Sequence, residues 1–426
     1  MTRTRTLIGG LVLAALTAPG VATATTEAPL ESGWTCITNA EVHPVTGPAV
    51  EQTVCVANGI VAWMGDGLPS TPHHVVDGTD HVLTPGLVEV NSELGVTEIG
   101  AVPDTRDGDA GVSDEIRAAF RAGDAFNPQS TLIPLARASG ITSTIVAPRG
   151  GFISGQGLWV DLAASRDIRT MYVRDARPMI FASFGPNDHE DVGSSRASAM
   201  LRYRELLADV MAFMADPAAY DAAAMRELSA SRLDLEAMAG VVTGETLLVL
   251  RVNRRADLRA ALDFAGEEAL DIAILGGGEA WAEAASFAAS GVPVAVNPLL
   301  NLPAGFSDIG AREDTAARLH AAGAPVIISG GDTHNIRNLR QLAGNAVRAG
   351  MPWDAALEAI TLAPARLAGL GDTYGAIEVG RVANLVLWDG DPFELSSAAT
   401  HVWIQGEAQP LEHRQGALFE RYRDSR

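Results

Sequence analysis

Two carboxylates and an amide stand where apolar runs of the sequence end. Asn91 and Glu93 follow the run GLVEV, and Asp332 follows the run PVIISGG. A carboxylate in a confined site can act as a general base, and carboxylate and amide oxygens together are the ligands of hard cations such as Mg²⁺ or Ca²⁺. Glu93 and Asp332 are therefore the first candidates for catalytic residues.

The elements that must position these residues are buried strands. Eight apolar runs rich in β-branched residues alternate with helical patterns, as parallel strands buried on both faces do. They cover residues 86–91, 141–148, 158–162, 179–185, 247–252, 271–276, 292–297 and 325–332. Eight such units predict an α/β fold, a (β/α)8 TIM barrel over residues 84–370, with functional residues at the carboxyl ends of the strands. The glycine-rich segment 149–157 is interpreted as a loop over the barrel mouth.

Shorter strands with turns flank this region at both ends of the chain. Residues 34–83 and 371–408 predict one composite β-sandwich, and residues 409–426 predict a C-terminal helix. Cys36 and Cys55 would lie opposite each other on neighbouring strands of the sandwich, so a disulfide is expected if the compartment is oxidising. The alternative is two small buried thiols.

Charge and the first residues of the chain limit where the protein acts and what it binds. The 426 residues carry a formal net charge of −21, which argues against nucleic acid and anionic membrane surfaces as partners. Small neutral or cationic ligands fit better. Residues 1–24 combine two arginines, a short apolar run and a small-residue end, which is typical of a secretory signal peptide. We therefore expect an exported protein, periplasmic or extracellular.

A family resemblance covers nearly all of the chain after this leader. TPGLVEV, GGDTHNIRNLRQLAGNAVRAG, ALEAITLAPARLAGL and YGAIEVGRVANLVLWDGDP resemble the amidohydrolase superfamily, in particular its exported imidazolonepropionase-like group. The resemblance implies a TIM barrel that hydrolyses C–N bonds other than peptide bonds with one or two divalent metal ions.

The metal ligands that the resemblance implies are mostly replaced in this sequence. The family's two strand-one histidines fall on Asn91 and Glu93, and its strand-four lysine falls on Phe181. Its strand-five histidine falls on Arg251, and glycines 276–278 take the strand-six position. Asp332 alone matches, and the chain contains no lysine that could be carbamylated. The family therefore implies a metal cofactor whose ligands are mostly absent from this chain, and we expect none.

Arg251 is the fixed cation that this alignment brings into the site. A guanidinium repels a metal ion and bonds carboxylates, so we expect Arg251 to stand in the metal's place and to bond Asp332 or Glu93. Asn91 and His334 would then line a small polar pocket that binds substrate with Arg251. Two alternatives stay open: Arg251 turns to solvent or to another loop, and His334 is a loop histidine bonded to the backbone.

Three functions remain for such a barrel. The first is residual hydrolysis of an amide or cyclic amide, with Asp332 as general base and Glu93 beside it. The second is a catalytically inactive barrel that binds a small molecule. The third is a silent subunit that forms a homo-oligomer or supports an active paralogue in a hetero-oligomer. Function depends on the site more than on the fold, so the sequence does not choose among them.

Overall fold

The computed structural model describes residues 33–71, 73–110, 116–184, 195–303 and 305–423. The signal peptide expected over residues 1–24 lies outside the described residues. Within the described ranges no helix is both long enough and apolar enough to cross a membrane.

The chain alternates strands and helices after an all-β beginning. The strands are β1 (Trp34–Thr38), β2 (Glu41–Val42), β3 (Val50–Glu51), β4 (Thr53–Ala57), β5 (Ile60–Gly65), β6 (His73–Asp77), β7 (Val82–Pro85), β8 (Leu87–Ser92), β9 (Ile141–Val146), β10 (Ile153–Gln156), β11 (Leu158–Asp161), β12 (Met179–Ser183), β13 (Leu247–Val252), β14 (Ile272–Gly276), β15 (Val294–Val296), β16 (Val326–Ile328), β17 (Leu385–Trp388), β18 (Ala399–Ile404) and β19 (Glu407–Ala408). The helices are α1 (Leu132–Ala138), α2 (Ile168–Met171), α3 (Arg196–Ala215), α4 (Pro217–Asp221), α5 (Arg232–Thr243), α6 (Arg255–Glu267), α7 (Ala284–Ser290), α8 (Thr315–Ala321), α9 (Leu339–Arg348), α10 (Trp353–Glu358), α11 (Leu362–Leu367) and α12 (Arg414–Arg423).

Local sequence signals set the ends of several helices. The side chain of Ser231 accepts a hydrogen bond from the backbone N–H of Asp234 and so caps the start of α5. Gly244 ends the same helix in the left-handed conformation, with φ of 80°, which glycine adopts without strain. This helix therefore ends at Thr243, and β13 begins at Leu247.

Strands from the early and the late parts of the described chain pair in one sheet. A six-stranded sheet has the order β19-β18-β17-β7-β2-β3, in which β7 and β17 pair antiparallel. A four-stranded sheet of order β5-β4-β1-β6 accompanies it. Cys36 lies directly opposite Cys55 on β1 and β4, and the two form a disulfide, which confirms that expectation. The sequence-based boundaries at residues 83 and 371 stay a prediction.

The central region holds two parallel ladders. β8 pairs with β9, and β12 to β16 pair successively, each strand parallel to the next. Side chains facing one side of these strands form an inner apolar cluster that includes Phe181, Val249, Leu275, Ala295 and Ile327. The alternation of faces along a strand therefore separates this inner cluster from the helix-covered outer face.

One antiparallel segment joins the two ladders, and it corrects two sequence interpretations. β10 lies within residues 149–157, which were expected to be a loop, and pairs antiparallel with β12. β11, expected to be a parallel strand, pairs antiparallel with β9. The two are separated by Gly157, where a Cβ atom would lie 2.3 Å from Phe181 Cε2. An apolar run indicates a strand but not its direction, which is why the sequence misled here.

The outer edges of the two ladders approach each other. The N–H of Val88 on β8 donates to Ile360 O, and the N–H of Ile328 on β16 donates to Ala359 O. The side chain of Glu89 accepts a hydrogen bond from Ser329 Oγ. These contacts bring the end of the first strand beside the end of the last. The architecture is a mixed α/β fold, and closure into a complete (β/α)8 barrel stays a prediction.

Candidate functional site

At the carboxyl ends of the parallel strands, polar side chains follow the residues of the inner apolar cluster. Ser183 on β12 and Arg251 on β13 each lie two positions beyond a cluster member, and Asn297 and Ser329 lie two positions beyond cluster members directly after β15 and β16. Residues two apart on a strand share a face, so these side chains lie on the inner face, above the apolar layer. The guanidinium of Arg251 lies over the Phe181 ring, 5.5 Å from its centroid. We call this polar layer, together with Asn91, Glu93 and Asp332 at the ends of β8 and β16, the mouth.

The cation that meets Glu93 is Arg149, which the sequence analysis did not single out. Arg149 Nε lies 3.2 Å from Glu93 Oε2, and Arg149 Nη2 donates a 2.8 Å hydrogen bond to Gly331 O. The guanidinium therefore links the segment after β8 to the segment after β16. Its position in IVAPRGG, directly after a buried strand, was the signal that could have identified it.

Arg251 makes different contacts from those expected. Its Nη2 donates to Pro148 O at 2.7 Å, and its Nη1 donates to Ser154 Oγ at 3.4 Å. Among the ion pairs between described residues, Arg251 is paired with neither Glu93 nor Asp332. Arg149 pairs with Glu93 instead, and Arg251 donates to Pro148 O and Ser154 Oγ and not to either carboxylate.

The carboxylate of Asp332 accepts hydrogen bonds from residues of its own loop. Its Oδ1 accepts hydrogen bonds from the backbone N–H groups of His334 and Asn335, and its Oδ2 accepts one from Asn335 Nδ2. Burial alone would raise the pKa of this carboxyl group, but the hydrogen bonds from Asn335 and His334 outweigh burial and lower the pKa. Asp332 is therefore an ionised and weak base.

In the predicted site, the ring of His334 has a hydrogen-bond partner, whereas the side-chain oxygen of Asn91 has none among the described residues. His334 Nε2 lies 2.9 Å from Glu98 O, so the ring is bonded to the backbone, as the more ordinary interpretation held. Asn91 Oδ1 is buried and has no hydrogen-bond partner among the residues that the structure describes. A buried acceptor without a donor is costly, so Asn91 Oδ1 is a natural place for a ligand N–H or O–H group.

A third carboxylate, Glu89, lies beneath this layer and was missed by the sequence analysis. It is fully buried and accepts hydrogen bonds from Ser329 Oγ, Gly330 N and Asn91 N. Burial raises the pKa of Glu89 to about 6 in spite of these donors. An acidic residue inside the apolar run GLVEV was the available signal. Through these hydrogen bonds Glu89 fixes the backbone at Asn91 and at Gly330, two residues before Asp332.

The residues of the mouth do not form the donor set of a divalent metal. Across the described ranges there is no group of three or more His, Cys, Asp or Glu side chains placed to hold an ion. Glu93 faces a guanidinium, and the oxygens of Asp332 already accept three N–H donors. A metal ion would have to displace a fixed positive charge, so these residues do not fit the metal that the family resemblance implies.

Comparison with known proteins relates this arrangement to a family. Residues 304–409 match the model of the amidohydrolase family. Over 85 residues the chain is 36% identical to the amidohydrolase tasK of Hapsidospora irregularis, a match that spans 20% of this chain and 9% of that protein. The sequence match to this curated relative is therefore confined to a small part of its length.

Solved amidohydrolase structures extend the likeness to most of the chain. An amidohydrolase from Thermotoga maritima MSB8 is similar with a TM-score of 0.80 and 27% identity, over 88% of this chain and 99% of that chain. A putative prolidase from Bifidobacterium longum is similar with a TM-score of 0.52 and 14% identity, over 92% and 99% of the two chains. The second likeness shows the fold alone. The mixed α/β fold is thus that of amidohydrolase structures.

Proposed function

We propose that this protein binds a small amide or cyclic amide at the mouth and does so without the divalent metal of catalytic amidohydrolases. The Glu93–Arg149 ion pair carries the proposal, because it sets a guanidinium against the carboxylate that follows the first strand. Asn91 Oδ1 supplies a buried acceptor for the N–H group of such a ligand. An amide has both a donor and an acceptor, which suits a layer of mixed amide, hydroxyl and guanidinium groups.

Hydrolysis of a C–N bond by Asp332 is the less supported function. A general base works best when its pKa lies near the working pH, and the pKa of Asp332 is lowered instead. Loss of a metal also removes the group that polarises the carbonyl and acidifies water, and each ~1.4 kcal/mol that this loss adds to the activation free energy slows the reaction about tenfold. We therefore assign hydrolysis of C–N bonds to this protein's relatives, and ligand binding without hydrolysis to this chain.

Four further features belong to the same proposal. The parallel strands close into a (β/α)8 barrel, and the chain groups with the exported imidazolonepropionase-like amidohydrolases. The protein acts outside the cytoplasm, and it forms an oligomer with itself or with an active paralogue. Support comes from the amidohydrolase domain at residues 304–409, the leader pattern of residues 1–24 and the degenerate ligand positions.

The experiment that tests the proposal measures metal and turnover together. We expect purified protein to contain far less than one zinc, manganese or iron ion per chain after incubation with each metal and gel filtration. We also expect equal, negligible hydrolysis of N-acyl amino acids and cyclic amides by the wild type and by Asp332→Asn. One bound metal per chain, or turnover that Asp332→Asn abolishes, contradicts the proposal.

Binding is measured separately, by calorimetric titration with N-acetylglycinamide, which is neutral, and with a cyclic amide. Asn91→Ala should weaken binding about fivefold, the effect of about 1 kcal/mol for one hydrogen bond. Gln415→Ala, an exposed change in α12, serves as the matched control. Equal affinity of the Asn91→Ala and control variants shows that the ligand does not use the mouth.

A further inference from the structure

A cavity of about 330 Å³ lies at the end of the parallel strands opposite the mouth. One wall is formed where four successive strands begin: Leu247 and Ile272 are the first residues of β13 and β14, and Pro293 and Pro325 directly precede β15 and β16. Residues of α10 and α11 form another wall. Small-molecule pockets have volumes of about 300–1,000 Å³, so this cavity is large enough for one small ligand.

The inside of this cavity is apolar. Its lining includes five large side chains that each expose 7% or less of their surface, namely Leu247, Ile272, Val326, Met351 and Leu367. None of these five side chains offers a strong hydrogen-bond donor or acceptor. An apolar group is therefore the part of a ligand that fits against them.

An ion pair with unused hydrogen-bonding capacity stands at the rim of the cavity. Arg177 Nη2 donates to Asp271 Oδ2 at 2.7 Å and to Gly244 O at 2.8 Å, and both charged residues line the cavity. Among the described residues, Arg177 Nη1 and Asp271 Oδ1 have no hydrogen-bond partner. This pair can therefore both donate to and accept from a ligand.

A second ion pair of the same kind joins α10 and α11. Arg366 Nη1 donates to Glu358 Oε1, and both residues line the cavity. Within the described part of the chain, Glu358 Oε2 and the Nε and Nη2 groups of Arg366 have no partner. The backbone N–H of Arg177 donates to Ala368 O at 2.8 Å, and a Cβ atom on Gly369 would lie 3.4 Å from Arg177 Cβ. The first ion pair is thus attached to the end of the helix that carries the second.

The charges at the rim determine what kind of ligand fits. Two arginines and two carboxylates sum to zero, with His320, which also lines the cavity, counted as neutral. A simple cation or anion meets one attractive and one repulsive partner in each pair, whereas a zwitterion can bond both. Its carboxylate accepts from guanidinium N–H groups, and its ammonium group donates to carboxylate oxygens.

We infer that this cavity binds a free α-amino acid with an apolar side chain. The side chain lies against the apolar wall, and the ammonium and carboxylate groups bond the half-used ion pairs Arg177–Asp271 and Arg366–Glu358. This site is separate from the mouth, because it lies at the amino ends of the same strands. The inference therefore goes beyond the proposed function and does not depend on it.

The test titrates the purified protein by calorimetry with L-leucine, glycine, 4-methylpentanoate and L-leucinol. Glycine lacks the apolar side chain and should bind about a hundredfold or more weaker than leucine. 4-Methylpentanoate lacks the ammonium group and leucinol lacks the carboxylate, so each should bind about tenfold or more weaker than leucine. None of the four probes contains an amide, the group that the mouth is proposed to bind.

Variants at the rim identify the groups that the ligand bonds. Arg366→Gln should lower the affinity for leucine about tenfold or more but should not lower the affinity for leucinol, which has no carboxylate. Glu358→Gln should lower the affinity for leucine but not that for 4-methylpentanoate, which has no ammonium group. Arg348→Gln is the matched control: it breaks an exposed ion pair with Glu313 outside the cavity and should keep the wild-type affinity.

Three results would overturn the inference. The first is equal affinity for leucine in the Arg366→Gln and Arg348→Gln variants. The second is leucine binding that Asn91→Ala abolishes, because it places the amino acid at the mouth. The third is no leucine binding at all, which leaves the proposed function standing if N-acetylglycinamide still binds in a manner that depends on Asn91.

Discussion

At the scale of single residues, Glu89 decides how the first and last parallel strands meet. Its two carboxylate oxygens accept hydrogen bonds from the backbone of Asn91 and Gly330 and from the hydroxyl of Ser329. These donors come from both sides of the junction between β8 and β16. Removing the acceptor would leave buried N–H groups unpaired, which costs on the order of 1–3 kcal/mol for each group. Glu89 is thus a positioning residue for the candidate site above it.

The raised pKa of Glu89 gives a pH dependence whose sign can be tested. Its pKa is about 6 in the folded protein and 4.5 as an ordinary glutamate, so the folded state binds the proton more tightly. The resulting stabilisation is fully present below pH 4.5 and is lost as the pH rises through about 6. Relative to Glu89→Gln, the wild type should lose about 2 kcal/mol of unfolding free energy over this range. Denaturant unfolding of both proteins at a series of pH values measures the difference, and parallel curves would contradict the assignment.

At the scale of elements, Gly157 separates β10, which pairs with β12, from β11, which pairs with β9. A Cβ atom there would lie 2.3 Å from Phe181 Cε2 and 3.1 Å from Val146 O. Gly157→Ala should therefore destabilise the protein by about 1–3 kcal/mol through overpacking. Gly266→Ala, within α6 and with no atom within 4 Å of the added methyl, should instead stabilise by up to about 1 kcal/mol. Thermal unfolding of the two variants compares them, and a shift of the same sign in both would disprove the packing argument.

The elements also show what the sequence could and could not predict. Every one of the eight apolar runs is a strand in the structure, because burial on both faces leaves a strong signal in composition. The antiparallel direction of β11 was missed, since direction depends on which neighbour a strand meets. The partner of Glu93 was also missed: the alignment pointed to Arg251, whereas Arg149 has the reach from the adjacent strand end. Which side chains contact each other across neighbouring strand ends depends on the tertiary structure. The spacing of residues in the sequence does not show it.

At the scale of the whole molecule, the terminal sheets and the central region share one core. Val386, Trp388, Val402 and Ile404 of the six-stranded sheet belong to the same buried cluster as the outer faces of the central strands. Polar contacts cross the same junction: the buried carboxylate of Asp161 accepts hydrogen bonds from Tyr374, Asn384 and Gln405. The predicted sandwich and the predicted barrel therefore share buried apolar and polar contacts across their junction.

This shared core predicts that residues 84–370 do not fold alone. Such a chain loses the apolar cover of β17 and β18. Asp161 keeps Ser143 but loses its donors Tyr374, Asn384 and Gln405, and each lost hydrogen bond costs about 1 kcal/mol. We expect no cooperative thermal transition by circular dichroism and strong binding of a hydrophobic dye. The chain 33–413, which lacks only α12 and the residues after it, is the matched control, because α12 buries no side chain, and it should unfold as cooperatively as the chain 33–423. Cooperative unfolding of residues 84–370 with a midpoint near that of the longer chain would show instead that the central region is an independent domain.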